Sequence, residues 1–144
     1  EEIAPRVYLL PKAERLDGRE ATPRFRRIQN GAELIDEFED ELSLAFDEED
    51  GMVVVTGCAH RGVLDIARAA LDAFPGRPLK ALVGGFHLVD SPPEELARMA
   101  GAIASMAPGA ILCAHCTGLP GYAALSQALP GKVFWLSCGM RVNL

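Results

Sequence analysis

The sequence predicts an α/β layer fold with largely parallel strands. Two patterns carry this reading. Short apolar runs alternate with amphipathic stretches from residue 42 onward, and Pro-Gly pairs close those stretches at 75–76, 108–109 and 130–131. Composition agrees: 144 residues, 49% hydrophobic and 24% charged, describe one ordinary soluble domain with enough chain to bury a core.

Each element follows from local pattern. Residues 7–10 are a strand candidate. Residues 11–30 mix Pro, Gly and charge, with a basic cluster at Arg24, Arg26 and Arg27, and read as a long loop. Residues 32–41 are too acidic to assign, so 1–41 is expected to be an irregular lead-in to a single unit of 1–144. Leu42, Leu44 and Phe46 then alternate with Ser43 and Ala45, and after a turn at 47–51 the β-branched run 52–56 completes a hairpin. Val63, Ala67, Ala70, Leu71 and Phe74 share one helical face, and residues 79–83 form the next strand. A second helix is expected from Ser91 as N-cap, Pro at N1 and Glu94 at N3, with a stripe of Leu96, Met99, Ile103 and Met106. Residues 110–113 are a strand; Tyr122, Leu125 and Leu129 mark a last helix, and 133–136 a last strand. The Met and Leu stripes are core packing.

Fourteen basic against 20 acidic residues give a net charge of −6, which argues against general affinity for nucleic acid or anionic lipid. No apolar run approaches the ~18–20 residues that span a bilayer. The opening Glu1-Glu2-Ile3 lacks a signal-peptide pattern, so a cytoplasmic location is expected. Cys58, Cys113, Cys116 and Cys138 are accordingly read as reduced thiols.

The chemistry-bearing pattern is the placement of the three histidines. His60, His87 and His115 each follow an apolar strand by a few residues, beside small residues such as Gly57, Gly84, Gly85 and Gly118. Ligands of α/β sheets bind at the carboxyl ends of the strands, so local sequence gathers three imidazoles at one rim. Imidazole is the commonest protein ligand for zinc and suits iron, and catalytic zinc sites combine about three protein ligands with an open position. Two other arrangements stay open. Cys-Ala-His at 58–60 and 113–115, followed by Cys116, suggests a structural Cys/His zinc site, although its spacing fits no familiar knuckle. Cys58 or Cys116 with a histidine suggests a nucleophile pair, without an evident orienting residue. Arg61, beside His60, is a candidate for an anionic substrate group, with the Arg24–Arg27 cluster behind it; the acidic residues 36–50 read as a solvated face and turn.

Gly-Met-Val-Val-Val-Thr-Gly-Cys-Ala-His-Arg-Gly at 51–62, Val-Gly-Gly-Phe-His-Leu at 83–88 and His-Cys-Thr-Gly at 115–118 resemble the metallo-β-lactamase superfamily. Within it they most resemble the dihydropterin-ribofuranosylaminobenzene phosphate synthase-like branch. The resemblance implies an αββα sandwich, of which residues 42–144 would be the C-terminal αβ half. It implies His60 and His115 as metal ligands and His87 as an active-site, catalytic position, either ligating the metal or lining the substrate site, with Thr117 and Gly118 beside the metal. Zinc is the expected metal, ahead of iron or manganese. The implied reaction is hydrolysis of a small-molecule phosphate ester by metal-bound water.

The superfamily's His-x-His-x-Asp-His motif is missing from these 144 residues. The chain is therefore expected to be a fragment that holds metal weakly or not at all and turns over little by itself. Its expected partners are the small-molecule substrate and either the missing N-terminal half or a second copy of the chain. A non-catalytic homo-oligomeric binding module is the alternative from another class.

Overall fold

A computed structural model describes residues 1–15 and 21–144; the portion of the expected loop at 16–20 lies outside the described residues. In chain order the strands are β1 (Glu2–Ala4), β2 (Val7–Leu9), β3 (Arg26–Gln29), β4 (Ala32–Ile35), β5 (Ser43–Glu48), β6 (Gly51–Thr56), β7 (Leu79–Gly85), β8 (Ala110–Ala114) and β9 (Val133–Trp135). The helices are α1 (Val63–Ala73), α2 (Pro93–Ser105) and α3 (Gly118–Ala128). Seven strands form one sheet in the order β1-β2-β5-β6-β7-β8-β9. Pairing is antiparallel from β1 to β6 and parallel from β6 to β9. Parallel neighbours need a crossover, and α1, α2 and α3 supply one each.

Side-chain alternation along the strands explains the layers. Ala45, Met52, Val54, Leu82 and Ile111 face one side, where they meet Val63, Ala67, Met99, Ile103 and Leu125 of the helices in one buried core. Val53, Ala81 and Leu112 face the other side, joined by the half-buried Phe46, Val55, Val83, Ala110 and Leu136. Among the described residues, helices cover the first face only. The expected α/β class holds, and these residues make one helical layer on one sheet.

Three local expectations are corrected. Residues 26–35 are a hairpin, β3 with β4, where loop and unassigned chain were expected. Asn30 (φ 52°) and Gly31 (φ 77°) supply the two left-handed residues that a two-residue hairpin turn demands. In β5 it is Ser43 and Ala45 that are buried toward the helices; Leu42 is 63% exposed, and Leu44 and Phe46 are half-buried. Ser91 is not the N-cap of α2. Pro93 drives its predecessor out of the α region, and Pro92 takes the cap position at ψ 157°.

Candidate metal centre

Three turns build the site, one after each parallel strand β6, β7 and β8. They carry His60, His87 and His115 to the carboxyl rim of the sheet. Hydrogen bonds join the turns: Gly85 N–H donates to Gly57 O at 2.7 Å, Phe86 N–H to the buried Thr117 hydroxyl at 3.1 Å, and Leu88 and Val89 N–H to Cys116 O at 3.0 and 3.1 Å. Each turn also holds one non-glycine residue in the left-handed region: Ala59 at φ 55°, His87 at φ 44° and His115 at φ 53°. Such conformations cost on the order of 1–2 kcal/mol each and survive only where surrounding contacts fix them. Gly85 is required by space, since a Cβ there would sit 2.8 Å from Cys116 Sγ and 3.0 Å from Gly57 O.

The histidines divide into two groups. His60 and His87 touch, with ring centroids 4.7 Å apart. Phe38 stacks on His60 at 3.9 Å, and Phe25 packs edgewise on it at 5.1 Å. Glu41 holds His60 from behind: its carboxylate accepts the backbone N–H of His60 at 2.7 Å and that of Arg61 at 2.9 Å. Glu41 Oε1 also lies 3.3 Å from His60 Nδ1. A carboxylate on one ring nitrogen leaves the other, Nε2, as the coordinating atom, the usual arrangement behind a metal-bound histidine.

His115 lies among thiols. Its Nδ1 is 3.6 Å from Cys58 Sγ. Among the described residues, the Cys58, His115 and Cys116 donor atoms all fall within 4.8 Å of one another, and no other His, Cys, Asp or Glu joins that group. Cys116 Sγ accepts the His87 backbone N–H at 3.3 Å and lies 3.5 Å from the Cys58 carbonyl. Burial pushes the Cys116 thiol up to about 11, with the His87 N–H pulling the other way. Burial likewise raises Cys113, which belongs to the helix-side core, to about 11. Metal-free, Cys116 is therefore a neutral thiol at pH 7. The donors present, two sulfurs and imidazole nitrogens, suit a borderline-soft cation such as zinc.

Arg61, the candidate for an anionic substrate group, is turned toward the lead-in. It is 9% exposed, and its guanidinium donates to Ala13 O and Glu37 O, both at 2.8 Å, pinning the lead-in over the rim. Arg24 pairs with Asp90 at 2.9 Å and Arg27 with Glu39 at 3.6 Å, so both answer acidic side chains. The acidic run likewise contains one residue that is not a solvated face: Glu41, whose side chain is 10% exposed. Neither Glu41 nor Phe25 and Phe38 carried a sequence signal, because each reaches the site from a segment without strand or helix periodicity of its own.

No family model matches the chain. Over 92 residues it is 32% identical to the 7,8-dihydropterin-6-methyl-4-(beta-D-ribofuranosyl)-aminobenzene-5'-phosphate synthase of Methanocaldococcus jannaschii, covering 64% of this chain and 31% of that protein. It also superposes on the crystal structure of a metal-dependent hydrolase of the beta-lactamase superfamily with TM-score 0.93 and 30% identity. That match covers 100% of this chain and 56% of the solved one. The chain thus spans about a third of the curated relative and just over half of the solved relative.

Proposed function

Because the chain carries one αβ half of a metallo-β-lactamase-like fold and resembles the dihydropterin-ribofuranosylaminobenzene phosphate synthase-like branch, we propose that it is the C-terminal half of a metal-dependent hydrolase acting on a small-molecule phosphate ester. The observation that carries this reading is the convergence of three strained turns, each bearing a histidine, at one strand-end rim. His60, oriented by Glu41, and His115 are the metal ligands. A divalent cation held by these residues would supply Lewis-acid chemistry for hydrolysis. His87, in contact with His60, is the side chain placed to pass a proton to the departing oxygen. Phe25 packs against both His60 and His87, and Phe38 stacks on His60.

The test is hydrolysis of bis(p-nitrophenyl) phosphate by the zinc-supplemented chain, alone and mixed with the part of the solved relative that it does not cover. Little turnover alone, turnover on mixing, and its loss in His87→Ala support the proposal. Absence of turnover on mixing, or turnover indifferent to His60→Ala, His87→Ala and His115→Ala, contradicts it.

A second reading, the homo-oligomeric module, is favoured by the sheet face without helices. Phe134 is 48% exposed there, and Phe46 and Val53 line a shallow hollow with the terminal residues 142–144. An apolar face of this kind calls for a partner layer, either the complementary half or a second copy. Light scattering separates the two: a dimer in solution supports the second copy, and a monomer contradicts it.

A further inference from the structure

We infer that Cys58 and Cys116 are thiolate ligands of the metal that His115 binds, so that the rim offers two sulfurs and an imidazole and selects zinc over harder cations such as manganese and magnesium. This rests on the metal-centre reading above and names its donor set.

The geometry is close to that of a loaded site. Zinc–sulfur and zinc–nitrogen bonds of about 2.3 and 2.0 Å at a tetrahedral angle place the two ligand atoms about 3.5 Å apart. Cys58 Sγ and His115 Nδ1 are 3.6 Å apart. Two sulfurs on the same zinc stand about 3.8 Å apart, and the three donor atoms here already lie within 4.8 Å of one another.

The surroundings treat Cys116 as a ligand. The His87 backbone N–H points at its sulfur at 3.3 Å, the kind of donor that stabilises a metal thiolate. Gly85 keeps the space that any side chain would take from that sulfur. The backbone of His115 itself is held left-handed at φ 53°, a strain that aims the imidazole and the adjacent thiol into one turn. Thiolates favour zinc and ferrous iron, whereas manganese and magnesium favour oxygen ligands. Binding balances as two thiols and one cation giving two metal–sulfur bonds and two protons released to solvent.

The experiment is a cobalt(II) titration of the whole chain, under nitrogen and with a phosphine reductant. Thiolate ligation gives an intense near-ultraviolet sulfur-to-cobalt charge-transfer band that zinc abolishes and manganese does not. The band should fall in Cys58→Ser and in Cys116→Ser and persist in Cys138→Ser, with far-ultraviolet circular dichroism reporting folding of each. Zinc affinity should fall by more than about tenfold in either ligand variant. Cobalt binding without the band, or a band unchanged in both variants, overturns the thiolate assignment and leaves the histidine reading standing. Absence of any bound cobalt overturns both.

Discussion

Glu41 Oε1 lies 3.3 Å from Nδ1 of His60, and the same carboxylate accepts the backbone N–H groups of His60 and Arg61. One side chain from the lead-in thereby sets both the position of the turn after β6 and the orientation of its imidazole. Glu41→Gln keeps the shape and removes one acceptor oxygen. We expect a stability loss of about 1–3 kcal/mol in urea unfolding, from the backbone N–H left without its acceptor. Zinc affinity should fall about 10–100-fold as the imidazole loses its orienting partner. Unchanged zinc affinity would separate Glu41 from the site.

Gly84 sits at φ 141°, and a Cβ there would lie 2.3 Å from the Thr56 carbonyl oxygen. That carbonyl is backbone at the end of β6 and has no way to yield cheaply. Gly84→Ala is expected to cost on the order of 2–4 kcal/mol in chemical denaturation. Gly101 has open space where its Cβ would be, so Gly101→Ala inside α2 should be neutral or stabilising.

The two sheet faces should answer mutation differently. Ile111 is fully buried under the helices, and Ile111→Ala should cost about 2–5 kcal/mol. Phe134, 48% exposed on the opposite face, should tolerate Phe134→Ser within about 0.5 kcal/mol. The same change should weaken any self-association or binding of a partner layer, read by light scattering.

Acid should act through Asp50. Its hydrogen bond with Lys80 holds the Asp50 carboxyl below the usual 3.8, with Lys80 Nζ 2.6 Å from Oδ1. A depressed folded-state value means stabilisation that is present above pH 3.8 and lost as pH falls through the lower folded value. The urea midpoint of Asp50→Asn should lie slightly below that of the parent at pH 7, and the gap should close in acid. Asp50 itself is exposed, so the gap is small and shrinks further with salt.

Sequence pattern revealed the αβ part well because its signals are periodic. The β-branched run at β6, the helical stripes of α1 and α2, and the Pro-Gly stops each repeat one instruction several times. The lead-in lacked that redundancy. Its hairpin rested on the single dipeptide Asn30-Gly31, between strands whose Ile28, Leu34 and Ile35 are exposed and so show no buried face. At the rim, the strand-end positions of the histidines were readable because topology alone sets them. Their partners were not. Whether His115 faces His60 or the two thiols depends on turn conformations at Ala59, His87 and His115 that sequence period does not encode. Glu41 looked like surface charge and Arg61 like an anion-binding group for the same reason: only the folded lead-in brings their partners to them.

The most direct test of the account is the zinc content of the purified chain after dialysis against dilute zinc, measured beside a His60→Ala, His115→Ala double variant. With the thiolates of Cys58 and Cys116 added to the histidines, the account predicts stoichiometric zinc in the parent chain, where weak binding was expected from the histidines alone, and its loss in the variant. A parent chain without zinc, or a variant that keeps it, would contradict the claim that this rim is a metal centre.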